Sequence, residues 1–438
     1  MSDQLGLFGK SEDDENPELN LVDLRAALSR TAGSPTLEPA SRVAPRRAQR
    51  VARVVAANRR KRRLRQSVLA VVVLLLLAGG VVVGFKVWRT DATAVPDFAG
   101  SGSSEVVVRV QSGDVLGDIA DTLVADKVVA SSKAFVDAAA NNADIKNIRP
   151  GYYKVKTNAS GVASVAAITN PLARVGMLRL IPGQQLADVA IKTGGTSGVR
   201  AGYLSDIVKA ACVPLNGVSN CFTAAQLLQA EETADPVALG VVNWAVAAVQ
   251  NAPDPTRRLE GMLVPGDYNV PPGADPVAAL QAVVSASAAN WNATGIVAGA
   301  KALGQTPYDV AVVASLIERE GNATSMGQVS RVTYNRLAIA MKLQFDSTVA
   351  YALGLSSIST TNEQRRSLSP YNTYVAAGLP PTPITSPGVA ALNAALNPVD
   401  GNWLYFVEVD LKGNFCFSLT YAEHSKCVTQ ARAAGVFG

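Results

Sequence analysis

The chain of 438 residues is long enough for more than one domain and a sizeable core. Its net charge of +5 is unevenly spread: the first 65 residues hold 14 Lys/Arg against 8 Asp/Glu, whereas everything after Arg89 holds 24 basic and 27 acidic residues. A nucleic-acid footprint needs a basic surface, so the large C-terminal part is not expected to bind nucleic acid.

Residues 1–66 are acidic, then Pro/Ser/Arg-rich, with too few apolar side chains to fold alone, and are expected to form a disordered basic cytoplasmic tail. From Arg42 to Arg65 there are eleven Arg/Lys and no acid, directly ahead of the apolar run Ser67 to Phe85 (SVLAVVVLLLLAGGVVVGF). Such a run can span a bilayer, and the basic flank orients it. Residues 67–88 are therefore expected to be a single transmembrane helix, with the tail cytoplasmic and the rest extracytoplasmic. The long preceding tail, together with Lys86 and Arg89, argues against a cleavable signal. Residues 89–104, which include AGSGSS, are expected to be a flexible linker.

An internal repeat follows. Val110 to Ala120 (VQSGDVLGDIA) and Leu180 to Ala190 (LIPGQQLADVA) share Gly113/Gly183, Leu116/Leu186, Asp118/Asp188 and Ala120/Ala190 at equal spacing. Each fits a strand, a glycine turn and a helix start, and each is followed by a P-G-x-Y-x-V element, at Pro150 and Pro265. The same small α+β unit is thus expected twice, the second with a helical insertion that carries Cys212 and Cys221. Short units of this shape resemble LysM-like modules, which bind peptidoglycan. All four cysteines fall beyond the expected membrane span, and local disulfides Cys212 with Cys221 and Cys416 with Cys427 are the simplest pairing. One histidine and these spacings give no zinc site, and no phosphate-cradling glycine motif is present; no metal or cofactor is expected.

Thr306 to Gly321 (TPYDVAVVASLIEREG) is the most defined helix: an N-cap hydroxyl, proline at the first helical position, Asp309 to reach back, and glycine at the end. Val310, Val313, Ala314 and Ile317 form one apolar face, while Val312 and Leu316 extend it round the back, so an enclosed helix is expected. Glu318 lies roughly 80° from that face among small side chains, and Glu320 points about 200° away from Glu318. They cannot act as a pair in one cleft. Glu318 is the candidate general acid, because apolar walls raise a carboxyl pKa; a helix-terminal Glu bonded to a loop is the alternative.

Beyond it, Gln328 to Met341 is expected to be a second helix, and Ser369 to Gly388 (SPYNTYVAAGLPPTPITSPG) a proline-rich loop whose aromatic and amide groups suit a sugar, or else structural turns. Trp403 to Val409 and Phe415 to Leu419 are expected to form a hairpin. His424 has no G-x-S-x-G or H-E-x-x-H companion, so a hydrolase triad and zinc catalysis are poorly supported.

With Leu259-Glu260-Gly261, Ala314 to Glu320 (ASLIERE), Tyr334 to Leu337 (YNRL), Leu343 to Val349 (LQFDSTV), the proline loop and Glu423-His424 in this order, roughly residues 105 to 432 resemble the endolytic murein transglycosylase (YceG-like) family. The resemblance implies a single-pass anchor, a LysM-like subdomain at 105–175 and an α+β catalytic domain at 176–438. It implies Glu318 as the catalytic residue, peptidoglycan glycan strands as substrate, cut between N-acetylmuramic acid and N-acetylglucosamine, and peptidoglycan synthases as partners. Gln344, Asp346, Tyr371, Asn372 and Tyr374 become candidates for holding the sugars. The chain departs from the family at Glu260 to Tyr268, EGMLVPGDY in place of a sequence close to EGYLFPDTY, and at Thr382, where glycine is more usual. Two other readings stay open: a non-catalytic peptidoglycan-binding scaffold, and a muramidase in which Asp346 is a second carboxylate.

Overall fold

The computed structural model describes residues 95–193, 196–356 and 360–436. The expected tail and the 67–88 span lie outside these residues; among the described ones no helix is long and apolar enough to cross a membrane. The architecture is α+β, helices packed around small antiparallel sheets.

The first copy of the repeat runs β1 (Glu105–Val110), α1 (Leu116–Ala125), α2 (Ser132–Ala139), β2 (Gly151–Lys156), α3 (Gly161–Ile168) and a short β3 (Arg174–Val175), with sheet order β1-β2-β3. Its core holds Val108, Leu123, Phe135, Val155 and Ile168. The preceding stretch is not the free spacer expected. Its backbone is tied down by Ser103 N–H to Thr157 O at 2.8 Å and Ser160 N–H to Gly100 O at 3.0 Å, and the Asp97 carboxylate accepts from Gly161 N–H at 2.9 Å. Small residues made the segment look like a linker; they also let the backbone lie close to its neighbour.

The second copy confirms the repeat and corrects one part of it. β4 (Met177–Leu180) pairs antiparallel with a distant strand, Gly266–Asn269, so that Leu180 faces Gly266 as Val110 faces Gly151 in the first copy. The corresponding tyrosines turn the same corner, Tyr153 Oη donating to Arg149 O at 2.8 Å and Tyr268 Oη to Val264 O at 2.5 Å. However, the helix expected after Gly183 does not start there. A hairpin, β5 (Val189–Thr193) with β6 (Thr196–Arg200), intervenes, and α4 (Tyr203–Ala211) begins beyond it. Tyr203 N–H and Leu204 N–H donate to Gln185 O and Leu186 O at 2.9 and 3.1 Å, and Asp188 caps Gly202 N–H at 2.7 Å. The hairpin thus splits the first turn of the helix, whose hydrogen bonds close across it.

The insertion continues through α5 (Ala224–Thr233) and α6 (Val246–Gln250) to β7 (Gly266–Asn269). Both expected disulfides are closed, Cys212–Cys221 with Cα atoms 4.9 Å apart and Cys416–Cys427 at 6.1 Å. The rest comprises α7 (Pro276–Ala293), α8 (Ile296–Ala302), α9 (Pro307–Glu320), α10 (Met326–Ala338), α11 (Asp346–Ala352), α12 (Val389–Leu396), the hairpin β8 (Tyr405–Glu408) with β9 (Phe415–Ser418), and α13 (Tyr421–Ala433).

Helix α9 starts as its sequence dictates: Thr306 Oγ1 accepts from Asp309 N–H at 3.0 Å, Pro307 takes the first turn, and Gly321 ends the helix. Val310 through Ile317 are all buried. Each enclosed Val, Leu or Ile contributes roughly 1.5–3 kcal/mol, enough to hold the polar last turn at the edge of the core. Helix α10 stops at Ala338, short of the expected Met341, because Ala340 adopts a left-handed φ of 52°.

Candidate active site

Glu318 sits half-buried on the last turn of α9, where three segments meet. One is the turn after β4, another the end of the proline-rich loop. These two are laced together by Gly183 N–H to Ser386 O (3.0 Å), Ser386 N–H to Gln184 O (3.2 Å) and Thr385 Oγ1 to Gln184 O (2.9 Å). The loop is fastened to α9 by Ile384 N–H donating to Ser315 Oγ at 3.1 Å. The Glu318 carboxyl then accepts from Gly388 N–H, 3.0 Å from Oε2, while Oε1 accepts no hydrogen bond from a described residue.

Two glycines wall this carboxyl. A Cβ on Gly183 would stand 3.7 Å from Oε1, and one on Gly388 would stand 3.3 Å from Oε2 and 3.1 Å from Pro182. Gly183 also needs its left-handed φ of 75° to make the turn. Burial pushes the Glu318 carboxyl above the usual range, with the Gly388 N–H and Arg319 partly opposing it. A carboxyl in that setting keeps its proton to higher pH, and Oε1 keeps its hydrogen-bonding capacity unspent among the described residues.

The other acids face elsewhere. Glu320 accepts from Ser347 Oγ and from Ser347 N–H (3.2 Å) at the start of α11, and burial pushes it up to about 7 despite those bonds. The opposed faces expected for Glu318 and Glu320 are therefore realised through different partner helices, α12 and α11. Asp346 is held by Arg365 (Nη2 to Oδ2 2.6 Å, Nε to Oδ1 2.9 Å), Tyr374 Oη (2.6 Å) and Thr360 Oγ1 (2.8 Å). Burial would raise its pKa, but these donors outweigh burial and hold the carboxyl below the usual range.

Among the other sugar candidates, Gln344 is exposed at a left-handed φ of 53°, with its backbone N–H on Thr373 O at 3.1 Å. Tyr374 is half-buried on Asp346. Tyr371 and Asn372 do not face solvent, which corrects the expectation that they contact a ligand. Tyr371 bonds Thr382 Oγ1 at 3.0 Å beneath the Arg257 guanidinium. Asn372 spends its amide on Arg365 O (3.0 Å), Ser367 O (2.8 Å) and Tyr374 N–H (3.0 Å). Asp346, Tyr371, Asn372 and Tyr374 thus build the loop that ends at Gly388. His424 packs on Tyr405, ring centroids 5.3 Å apart, and Glu423 caps α13.

Glu260 received no role from the sequence, yet it lies fully buried under the Gly183 turn. It accepts from Leu186 N–H (3.2 Å) and Tyr351 Oη (3.2 Å), and burial pushes it up to about 7. The only signal was its place in the Leu259-Glu260-Gly261 match. Gly261, at φ 74° against Pro383 and Thr385, brings that segment against the proline loop.

The YceG-like family model matches residues 108–430. The chain belongs to the YceG-like family. It is 34% identical over 171 residues to an endolytic murein transglycosylase of Bacillus subtilis, a match covering 38% of this chain and 46% of that protein. It is 28% identical over 179 residues to one of Streptococcus pneumoniae, covering 40% and 32%. The match therefore spans less than half the length of either relative. A yceG-like protein of Listeria monocytogenes of solved structure aligns with a TM-score of 0.48 at 25% identity, covering 74% of this chain and 99% of that one.

Proposed function

We propose that this YceG-like protein is an endolytic murein transglycosylase that cuts nascent glycan strands between N-acetylmuramic acid and N-acetylglucosamine, leaving 1,6-anhydro ends. The observation that carries this reading is the isolation of Glu318: a half-buried carboxyl whose pKa burial raises, with Oε1 free of donors and, among the described residues, no second free carboxylate beside it. A glycosidase that uses water or a covalent intermediate needs two carboxylates flanking the bond. Here Glu320 is turned to α11 and Asp346 is consumed by Arg365, Tyr374 and Thr360.

One carboxyl suffices when the substrate brings its own nucleophile. Glu318 protonates the leaving glycosidic oxygen as the C1–O bond breaks. As carboxylate it then takes the proton of the muramic C6 hydroxyl, whose oxygen bonds C1, so the acid is regenerated without water. The Gly388 N–H stabilises Glu318 in its carboxylate phase, and the glycine walls admit the ring. Gln344 is the exposed candidate for sugar contact. The muramidase alternative is disfavoured by the ion pair of Asp346.

The same reading extends to a protein held in the cell membrane by residues 67–88, with its C-terminal part outside, a LysM-like 105–175 segment gripping the strand, and peptidoglycan synthases supplying it. The test is mass spectrometry of products after the full-length protein meets uncrosslinked strands. Anhydro-ended fragments are expected from the wild type, a loss of 10²–10⁴-fold or more with Glu318→Gln, and most of the activity with Glu320→Gln. Reducing ends would move the assignment to a hydrolase; bound but uncut strands, to the scaffold.

A further inference from the structure

Beside Glu318, across the Gly183 turn, lies a small cleft lined by Gly183, Gln185, Ala201 and Ser356, and into its lining come two arginines from different elements, Arg319 of α9 and Arg200 at the end of β6. Arg319 is half-buried and Arg200 exposed. Among the described residues neither side chain donates a hydrogen bond or joins an ion pair, although Glu318 and Glu320 flank Arg319 in sequence. Burial and the repulsion between the two guanidinium groups lower the pKa of Arg319, and the nearby Glu320 and Glu318 oppose them only in part. Two other arginines are treated differently: the buried Arg336 donates to backbone carbonyls, and the half-buried Arg365 forks onto Asp346. Two like charges brought together, one of them partly desolvated, is an arrangement stabilised by an anion between them.

We propose that Arg200 and Arg319 form a carboxylate subsite that reads the stem peptide of the glycan strand, so that the site prefers strands whose peptide carboxylates are free to strands without a free carboxylate. This rests on the strand being the ligand of Glu318. In a peptide-bearing strand the N-acetyl sugars are uncharged, because the lactyl carboxyl of the muramic ring is taken up in the amide to the peptide. The negative groups of such a strand are the carboxylates of the peptide, which hangs through the lactyl ether from the muramic ring, the ring whose C1 reacts; removing the peptide frees the lactyl carboxylate itself. A cleft that shares Gly183 with the acid is within reach of a substituent on that ring. The hairpin β5–β6, which interrupts the first turn of α4, is what carries Arg200 to this place. The guanidinium fork matches a carboxylate in two parallel hydrogen bonds.

The experiment measures binding, so that it does not depend on turnover. Full-length protein carrying Glu318→Gln is titrated with fluorescent strands of three kinds: peptide-bearing, stripped of peptide with the freed lactyl carboxyls amidated, and peptide-bearing with the carboxylates amidated. The peptide-bearing strand is expected to bind about tenfold tighter than the other two, the factor of a charge-assisted hydrogen bond, and to lose that advantage as salt is raised. Adding Arg200→Gln, at an exposed position, or Arg319→Gln should bring its affinity down to that of the stripped strand, while Arg319→Lys should keep part of the preference. Equal affinity for all three strands, or a preference that survives both glutamine variants, overturns the arginine subsite and leaves the Glu318 reading standing. Binding of no strand overturns both. A preserved preference in a protein whose wild type makes no anhydro ends would keep the subsite and remove the transglycosylase.

Discussion

The setting of the Glu318 carboxyl is made by the side chains that are missing around it. Gly388 has an ordinary φ of −77°, so alanine there costs no backbone strain, but its Cβ would press on Pro182 at 3.1 Å and on Glu318 Oε2 at 3.3 Å. Gly388→Ala is therefore expected to displace the carboxyl from the Gly388 N–H and to lower kcat by about 10²-fold, the cost of a misplacement on the order of 1 Å, with little change in thermal stability. The sign of the pH effect follows. That N–H favours the carboxylate, so losing it raises the Glu318 pKa further, and the alkaline limb of the rate profile, where the acid gives up its proton, should move to higher pH. Turnover indistinguishable from wild type would show that the contact does not position the acid. Helix periodicity alone pointed to Glu318, because an acid at the edge of an enclosed helix is conspicuous. The glycines were not legible, since what matters about Gly183 and Gly388 is how near they come to a residue far away in the chain. Tyr371 and Asn372 were misread for a related reason: the amide that suits a sugar also suits Arg365 O and Ser367 O, and burial decided.

Among the elements, the repeat was readable because strand pairing preserves spacing: Val110 with Gly151 and Leu180 with Gly266 hold the same register. The hairpin β5–β6 was not, because Leu186 and Asp188 keep the pattern of a helix start even though the chain leaves and returns before the turn closes. The disulfide Cys212–Cys221 follows α4 within this insertion and ties off a loop whose Asn216, at a left-handed φ of 51°, donates from Nδ2 to Glu105 O at 3.0 Å and accepts from Glu105 N–H at 2.7 Å. That loop clasps the first strand of the first copy. Cys416–Cys427 ties β9 to α13. Closing loops of about ten residues stabilises by roughly 2–3 kcal/mol in the chain-entropy account. Replacing either pair by serine should lower the urea midpoint correspondingly and leave the Glu318 site intact, and reductant should lower the wild type by the sum of the two losses and each single-pair variant by the remaining one. A midpoint insensitive to reductant would mean that neither bridge constrains the unfolded chain.

For the molecule as a whole, the buried acids make stability depend on pH in an unusual direction. Glu260 pins Leu186 N–H and Tyr351 Oη beneath the Gly183 turn, Glu320 pins Ser347 at the start of α11, and burial raises both to about 7 from 4.5. Between those values the native state holds protons that the unfolded chain has released, so stability is full below about pH 4.5 and is lost as pH rises towards 7. The shift corresponds to about 3 kcal/mol for each acid, an upper bound because the charged form keeps its donors, at both oxygens of Glu260 and at Oε1 of Glu320. Asp346 works in the opposite sense: its depressed pKa gives stability that is lost only as pH falls through the carboxylate range. The maximum should therefore lie at mildly acidic pH. Urea unfolding from pH 5 to pH 8 is expected to show a decline in the wild type, and Glu260→Gln, which keeps an acceptor for Leu186 N–H but has no proton to lose, should remove up to about 1.4 kcal/mol per pH unit from that slope. The variant should be less stable than wild type at pH 5, where the neutral acid donates and accepts freely, and should gain on it towards pH 8. An identical slope in both proteins would mean that Glu260 ionises in the native state as readily as in the unfolded chain, and that the turn carrying Gly183 is held over a charge.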